Sequence, residues 1–196
     1  MYQLGRAEAL KRLEAVRAYL DGAFERVSAL GGRTAVFGSG KSRMRPEGLS
    51  YDGAFRRLAE ICVLCGEAGE KHGVTVVIEP LNRGESNMIN SVAEGACLRA
   101  AARHPRVQLL ADYYHIAAEH EPPEDLARLG GIAHCHIAAP AGRRAPLEED
   151  EGFARMFAAM KKTGYQGLVS VEGKSDDLRK EGPVAVKLLR RMWEEA

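Results

Sequence analysis

Apolar residues in this chain fall into two kinds of run that alternate from one end to the other. Leu4 to Leu30, rich in Ala, Leu, Glu, Lys and Arg, predicts one long helix closed by Gly31 and Gly32. Thr34 to Phe37 is a short strand ending at Gly38, and a helix over about Tyr51 to His72 stops at Gly73. Val74 to Ile78 is β-branched with no polar alternation, the signature of a strand covered on both faces. Ser91 with Glu94 makes a capping-box pattern for a helix that halts before Pro105, and Val107 to Ala111 is the next apolar strand. A brief helix around Asp125 to Leu129 leads to a strand at Ile132 to Ile137. A helix with Phe153, Met156, Phe157 and Met160 on one face ends at Gly164, and Leu168 to Val171 is the last strand. Pro183, tolerated in a first helical turn, is expected to open a terminal helix.

Five strand and helix pairs in strict alternation argue for a parallel sheet with right-handed crossovers, in a single domain over residues 1–196. A barrel and an open doubly wound sheet both satisfy this pattern. The apolar strand runs also carry residues with chemistry at their ends: Glu79 and Asn82 after the second, Asp112 and His115 after the third, His134 and His136 on the fourth, and Glu172 after the fifth. In parallel α/β folds the carboxyl ends of the strands face a common crevice, so these residues are expected to converge. Three carboxylates and an imidazole in one pocket repel each other unless a cation joins them. Hard oxygen donors with one nitrogen suit Mn²⁺, Mg²⁺ or Co²⁺. His134 and His136 lie two apart on a strand and share a side; His136, nearer the carboxyl end, is the expected ligand, and His134 supports it or packs in the core.

Composition narrows the partners. With 28 Lys+Arg against 27 Asp+Glu the net charge is +1, too little for a global field that holds a nucleic acid backbone or an anionic membrane. A small, nearly neutral ligand fits better. No signal-like or membrane-spanning apolar run is present, and Cys62, Cys65, Cys97 and Cys135 sit within apolar patterns, which suits a reducing compartment and a cytoplasmic protein. Cys62 and Cys65 form a CxxC, but with Phe55 and Leu58 they step like the buried face of a helix, so packing is preferred to zinc or redox chemistry.

The stretches IEPLNRGESNMIN (Ile78 to Asn90), LLADYYH (Leu109 to His115), HCHIAAPAGRRAP (His134 to Pro146) and GYQGLVSVEG (Gly164 to Gly173) resemble the xylose isomerase-like barrel superfamily, above all the ketose 3-epimerases, with hydroxypyruvate isomerases as near relatives. The resemblance implies a (β/α) TIM-type barrel that is partial here, about five βα units with the first three absent. It implies that Glu79, Asp112, His136 and Glu172 hold one divalent metal, with Glu79 and Glu172 doubling as the acid/base pair. It further implies that Glu85, His115 and Arg143 contact a sugar substrate, Arg144 competing with Arg143 for its place. The implied activity is a ketose 3-epimerase or aldose–ketose isomerase acting through proton transfer and a metal-stabilised enediolate.

An open piece of a barrel exposes two strand edges, so a homo-oligomer that covers the opening is expected. Three other readings compete. AVFGSGKSR (Ala35 to Arg43) approaches a phosphate-binding loop but holds Ala35 where its first glycine belongs, and Pro46 and Gly48 follow where a helix should begin. A barrel nuclease acting on abasic DNA needs further His and Glu ligands and a basic face. A catalytically impaired remnant would bind metal or sugar without turning it over.

Overall fold

The computed structural model describes residues 6–196, with side chains from residue 11 onward. Helix α1 (Arg6–Ala29) leads into β1 (Thr34–Phe37); α2 (Tyr51–His72), β2 (Thr75–Ile78), α3 (Val92–Ala102) and β3 (Val107–Asp112) follow. Two short helices, α4 (Tyr113–Ala118) and α5 (Leu126–Leu129), precede β4 (Ile132–Ile137), α6 (Glu151–Lys162), β5 (Leu168–Val171) and α7 (Leu178–Glu195). The predicted start of α1 at Leu4 lies outside the described residues.

All five strands run parallel in the order β1-β2-β3-β4-β5, the curled half of a (β/α) barrel rather than a doubly wound sheet, in which the order would reverse. Register brings Val36 beside Val77 and Leu110 beside His134, and it places Asp112 beside His136 and His136 beside Ser170. Residues two apart share a face, so Glu79, Asp112, His136 and Glu172 prolong the inner rows through Val77, Leu110, His134 and Ser170.

The core lies between the outer face of this sheet and its helices. Ile78, Leu98, Leu109, Cys135, Ile137, Phe153, Met156 and Phe157 are essentially without solvent contact. At about 25 cal/mol per Å², each large side chain of this kind stabilises the fold by roughly 1.5–3 kcal/mol. Cys62 and Cys65 lie in the core on α2 as helix-face residues. Ser91 caps α3 as the sequence predicts, its hydroxyl accepting from the Glu94 amide, and the Ser50 hydroxyl likewise accepts from the Gly53 amide at the start of α2.

The flanks are different. β5 has a neighbour on one side only, and Leu168 is 75% exposed; Val36 on β1 is 45% exposed. Between β5 and α7 runs a cavity of about 650 Å³, lined by Val169, Val171, Leu178, Val186 and Trp193 among others.

The structure revises two expectations. Helix α7 begins at Leu178, five residues before Pro183, because the Asp177 carboxylate accepts from the amides of Arg179 and Lys180 and caps it there; Pro183 sits inside the helix. Helix α4 follows β3 with no intervening loop, since the Asp112 carboxylate accepts from the Tyr114 amide and starts a helix at once.

Candidate metal centre

Four strand ends deliver four donors to one point. One ligand atom each from Glu79, Asp112, His136 and Glu172 can be chosen so that all lie within 4.8 Å of one another. His136 Nδ1 is 3.1 Å from Glu79 Oε1, 3.1 Å from Glu172 Oε2 and 4.0 Å from Asp112 Oδ2. Glu79, Asp112 and His136 are buried, whereas the Glu172 side chain is 47% exposed.

Local structure explains these placements. A Cβ at Gly38 would overlap the Glu79 Oε2 atom, so only glycine at the end of β1 leaves room for that carboxylate. Asp112 spends one oxygen on the Tyr114 amide at 2.8 Å, which leaves the other facing the cluster. The Glu172 amide is fixed by the Ile137 carbonyl of the neighbouring strand at 3.0 Å.

Arg143 reaches the same atoms from the loop after β4. Its Nη2 donates to Glu172 Oε2 at 2.6 Å and to Asp112 Oδ2 at 3.2 Å, and its Nη1 lies 3.4 Å from Glu85 Oε1. Tyr114 lies beneath the guanidinium, 4.8 Å from ring centroid to Cζ, a cation–π contact the sequence did not signal. Arg144 is turned away and pairs with Asp176.

His115 has a definite polarity. Its Nδ1 accepts from the Asn82 amide at 3.1 Å and faces the Asn82 side-chain Nδ2 at 2.9 Å, so the ring proton belongs on Nε2. That Nε2 is buried, 3.7 Å from Asp112 Oδ2, and without a hydrogen-bond partner among the described residues. Asn82 also donates to Glu85 Oε1 at 3.1 Å, linking Glu85 to His115. His134 takes a supporting place, with its Nε2 3.0 Å from the Ser170 hydroxyl and its ring edge-on to His136.

The electrostatics are those of a site with too much negative charge for its burial. Desolvation, with Glu79 adding to it, pushes the Asp112 carboxyl up to about 7. Burial opposes protonation of His136, but its hydrogen bonds to Glu172 and Glu79 outweigh that and raise the imidazole to about 9. The His136 hydrogen bond lowers Glu172 to about 2, and burial lowers His115. Three carboxylates, one imidazole and an unpartnered N–H at hand make a donor set suited to a hard divalent cation and an oxygen-rich ligand. The described residues hold no ring of additional His ligands around this centre, and Gly40–Arg43 forms a 3-10 turn rather than the start of a long helix.

In (β/α) barrel enzymes the active site lies at the carboxyl ends of the strands, which is where this half-barrel has its polar crevice. The family model described as xylose isomerase-like TIM barrel matches residues 1–195, and the chain belongs to that family. A protein of Synechocystis sp. named "Probable ketose 3-epimerase" is 32% identical over 136 residues, covering 68% of this chain and 45% of that protein. The 3-dehydro-D-guloside 4-epimerase of Escherichia coli K12 is 26% identical over 189 residues, covering 91% of this chain and 67% of its own length. Among solved structures, D-allulose 3-epimerase from Methylomonas sp. in complex with D-allulose superposes with a TM-score of 0.79 at 19% identity over 92% of this chain and 69% of that one, a likeness of fold. Relatives of this chain are thus sugar epimerases and isomerases, and the chain spans less than half of the first and about two thirds of the others.

Proposed function

We propose that this chain carries the metal-binding part of a ketose isomerase or epimerase, with Glu79, Asp112, His136 and Glu172 holding one Mn²⁺, Mg²⁺ or Co²⁺ ion. The observation that carries this reading is the convergence of those four donors from four successive strands within 4.8 Å. The chemistry a bound divalent ion supplies there is Lewis-acid charge beside the carbonyl and hydroxyl oxygens of a ketose, which eases loss of the adjacent C–H proton.

The chain's own residues divide the remaining work. His115 offers its free Nε2 proton to a substrate oxygen, and Asn82 keeps that tautomer. Arg143 spans Asp112, Glu172 and Glu85, so it can pass from the carboxylates to substrate oxygens when a cation takes over their charge. Glu85 sits beyond Arg143 and Asn82, positioned to accept from a hydroxyl at the reacting end. Glu79 and Glu172 act as base and acid: return of the proton to the same carbon from the opposite side gives an epimer, and return to the neighbouring carbon gives the aldose–ketose isomer.

Two wider proposals accompany this one. The free edges of β1 and β5 are both four residues long and parallel, so β1 of a second copy can continue the sheet at β5 and cover the open side; a homodimer mass in light scattering supports this, and a monomer with an intact fold contradicts it. Four free cysteines, three of them buried, fit a reducing compartment, which we take to be the cytoplasm.

A second reading is favoured by the exposure of Leu168 and of the Glu172 side chain on the open flank: a protein that binds metal or sugar without turnover. A ketose panel with Mn²⁺, Co²⁺ or Mg²⁺ present separates the two. Formation of an epimer or aldose supports the enzyme. Metal-dependent stabilisation with no product supports the binding protein, and indifference to both metal and sugar removes both.

A further inference from the structure

A buried cation lies at the end of β1, beside the strand that leads to Glu79. Arg43 ends the 3-10 turn Gly40–Arg43, and although the turn is at the surface its side chain runs back under β1, leaving the residue only 5% exposed. Nη1 donates to the Phe37 carbonyl at 3.1 Å, while Nε and Nη2 are buried without a hydrogen-bond partner among the described residues. The same Phe37 carbonyl accepts from the Glu79 amide at 3.2 Å. One oxygen therefore ties the guanidinium to the backbone of Glu79, and Gly38, the next residue, is where the Glu79 carboxylate rests. Burial draws the Arg43 guanidinium down to about 10, and the negative charge of Glu79 is the largest influence opposing that fall.

A buried guanidinium with two idle donors is costly, and a hydrocarbon side chain of similar length would fill the space without that cost. What the cation does there has to be sought in the charge it faces. We propose that Arg43 is a positioning residue for Glu79: a buried counter-charge, fixed to the end of β1, that holds the carboxylate against Gly38 with Oε1 turned to the metal centre. This rests on the reading of Glu79 as a metal ligand. Arg43 touches neither substrate nor ion in this account; it acts through Glu79.

Field and position predict opposite results. A fixed positive charge near the site repels a divalent cation, so if Arg43 contributed only its field, its removal would tighten metal binding. If it positions Glu79, its removal lets the carboxylate turn and weakens binding, by roughly the 10–100-fold typical of losing a partner that orients a ligand. The test is calorimetric titration of the whole chain with Mn²⁺, with the visible absorption of the Co²⁺-loaded protein as a report on coordination, for the parent, Arg43→Met and Arg43→Lys. The expected result is at least tenfold weaker Mn²⁺ binding and a changed Co²⁺ spectrum in Arg43→Met, with most of the affinity restored in Arg43→Lys, which keeps charge and a donor for Phe37. Should Arg43→Met not fold, Arg43→Gln keeps a donor and drops the charge: weaker binding supports the proposal and parental affinity overturns it. A folded Arg43→Met with parental or tighter Mn²⁺ binding and an unchanged Co²⁺ spectrum overturns it too, even at a lower Tm. A parent that binds neither ion overturns the reading of the site and the role of Arg43 with it, whereas a binding parent with an indifferent variant sinks Arg43 alone.

Discussion

Glu79 and Glu172 are the same residue type, each at the carboxyl end of a strand, yet the fold treats them differently. Glu79 follows β2, which has β1 and β3 on its flanks, and it is 5% exposed; the Glu172 side chain, after the edge strand β5, is 47% exposed. Glu79 is walled in by Gly38 and the Phe37 carbonyl, whereas Glu172 is held by two side chains, His136 and Arg143. A parallel sheet buries a strand end only where it supplies neighbours on both sides. The centre of this sheet therefore makes the fixed wall of the site, and its β5 flank makes an adjustable one.

Breaking the fixed wall should have the largest effect. Asp112→Asn keeps a cap acceptor for Tyr114 but loses the charge; since outer partners of a ligand alone cost about 10–100-fold, Mn²⁺ affinity is expected to fall by more than about a hundredfold in titration. Glu172→Gln on the adjustable wall should weaken Mn²⁺ less than Asp112→Asn does, while turnover of a ketose substrate falls by about 10²–10⁴, the usual worth of an acid/base group. If Glu172→Gln proves the more damaging to metal binding, the division into fixed and adjustable walls is wrong.

The same contrast governs stability. Phe157, buried on α6 against Trp193 of α7, should cost about 3–5 kcal/mol in urea denaturation when replaced by alanine. Leu168→Ser on the open flank should change the stability of a single chain, at concentrations too low for a second copy to bind, by no more than about 0.5 kcal/mol. A larger cost at Leu168 would show that another surface covers β5 in solution, as the proposed second copy would.

How much of this could be read in the chain follows from where each signal is local. The strands were legible because each is a short apolar run bounded by turn residues, and their carboxyl ends were legible because Glu79, Asp112 and Glu172 each follow such a run directly and His136 lies near the end of its own. Helix α4 was not, because its start depends on the Asp112 carboxylate reaching the Tyr114 amide, and the Tyr-Tyr-His sequence carries no helix pattern of its own. The start of α7 was misplaced because Pro183 is a stronger textual signal than Asp177, although the aspartate's two amide contacts decide the matter. Arg43 ends the Gly-Ser-Lys-rich segment that approaches a phosphate-binding loop, and nothing in that segment signals a buried cation; its burial depends on how the turn packs against the end of β1.

A smaller prediction concerns a carboxylate at the periphery. Burial raises Glu121 from 4.5 to about 7, although its carboxylate accepts from the Val92 amide at the start of α3. The unfolded chain therefore gives up this proton first, so stability should decline as the pH rises from about 4.5 to 7. Because the group is partly solvated, the full linkage value of such a shift must be discounted, to about 1 kcal/mol. Glu121→Gln should remove that decline and stabilise the protein at pH 8 while leaving it unchanged near pH 4, measured by urea denaturation at the two pH values.

The most direct test of the central claim is thermal unfolding of the parent and of Asp112→Asn in EDTA and in excess Mn²⁺. An ion present at about 100 times its Kd stabilises by about 2.7 kcal/mol, which for a chain of this size raises Tm by roughly 5–10 °C. The account predicts that rise in the parent and its loss in Asp112→Asn. Equal Tm values for the parent with and without metal, with Co²⁺ and Mg²⁺ equally inert, would contradict it.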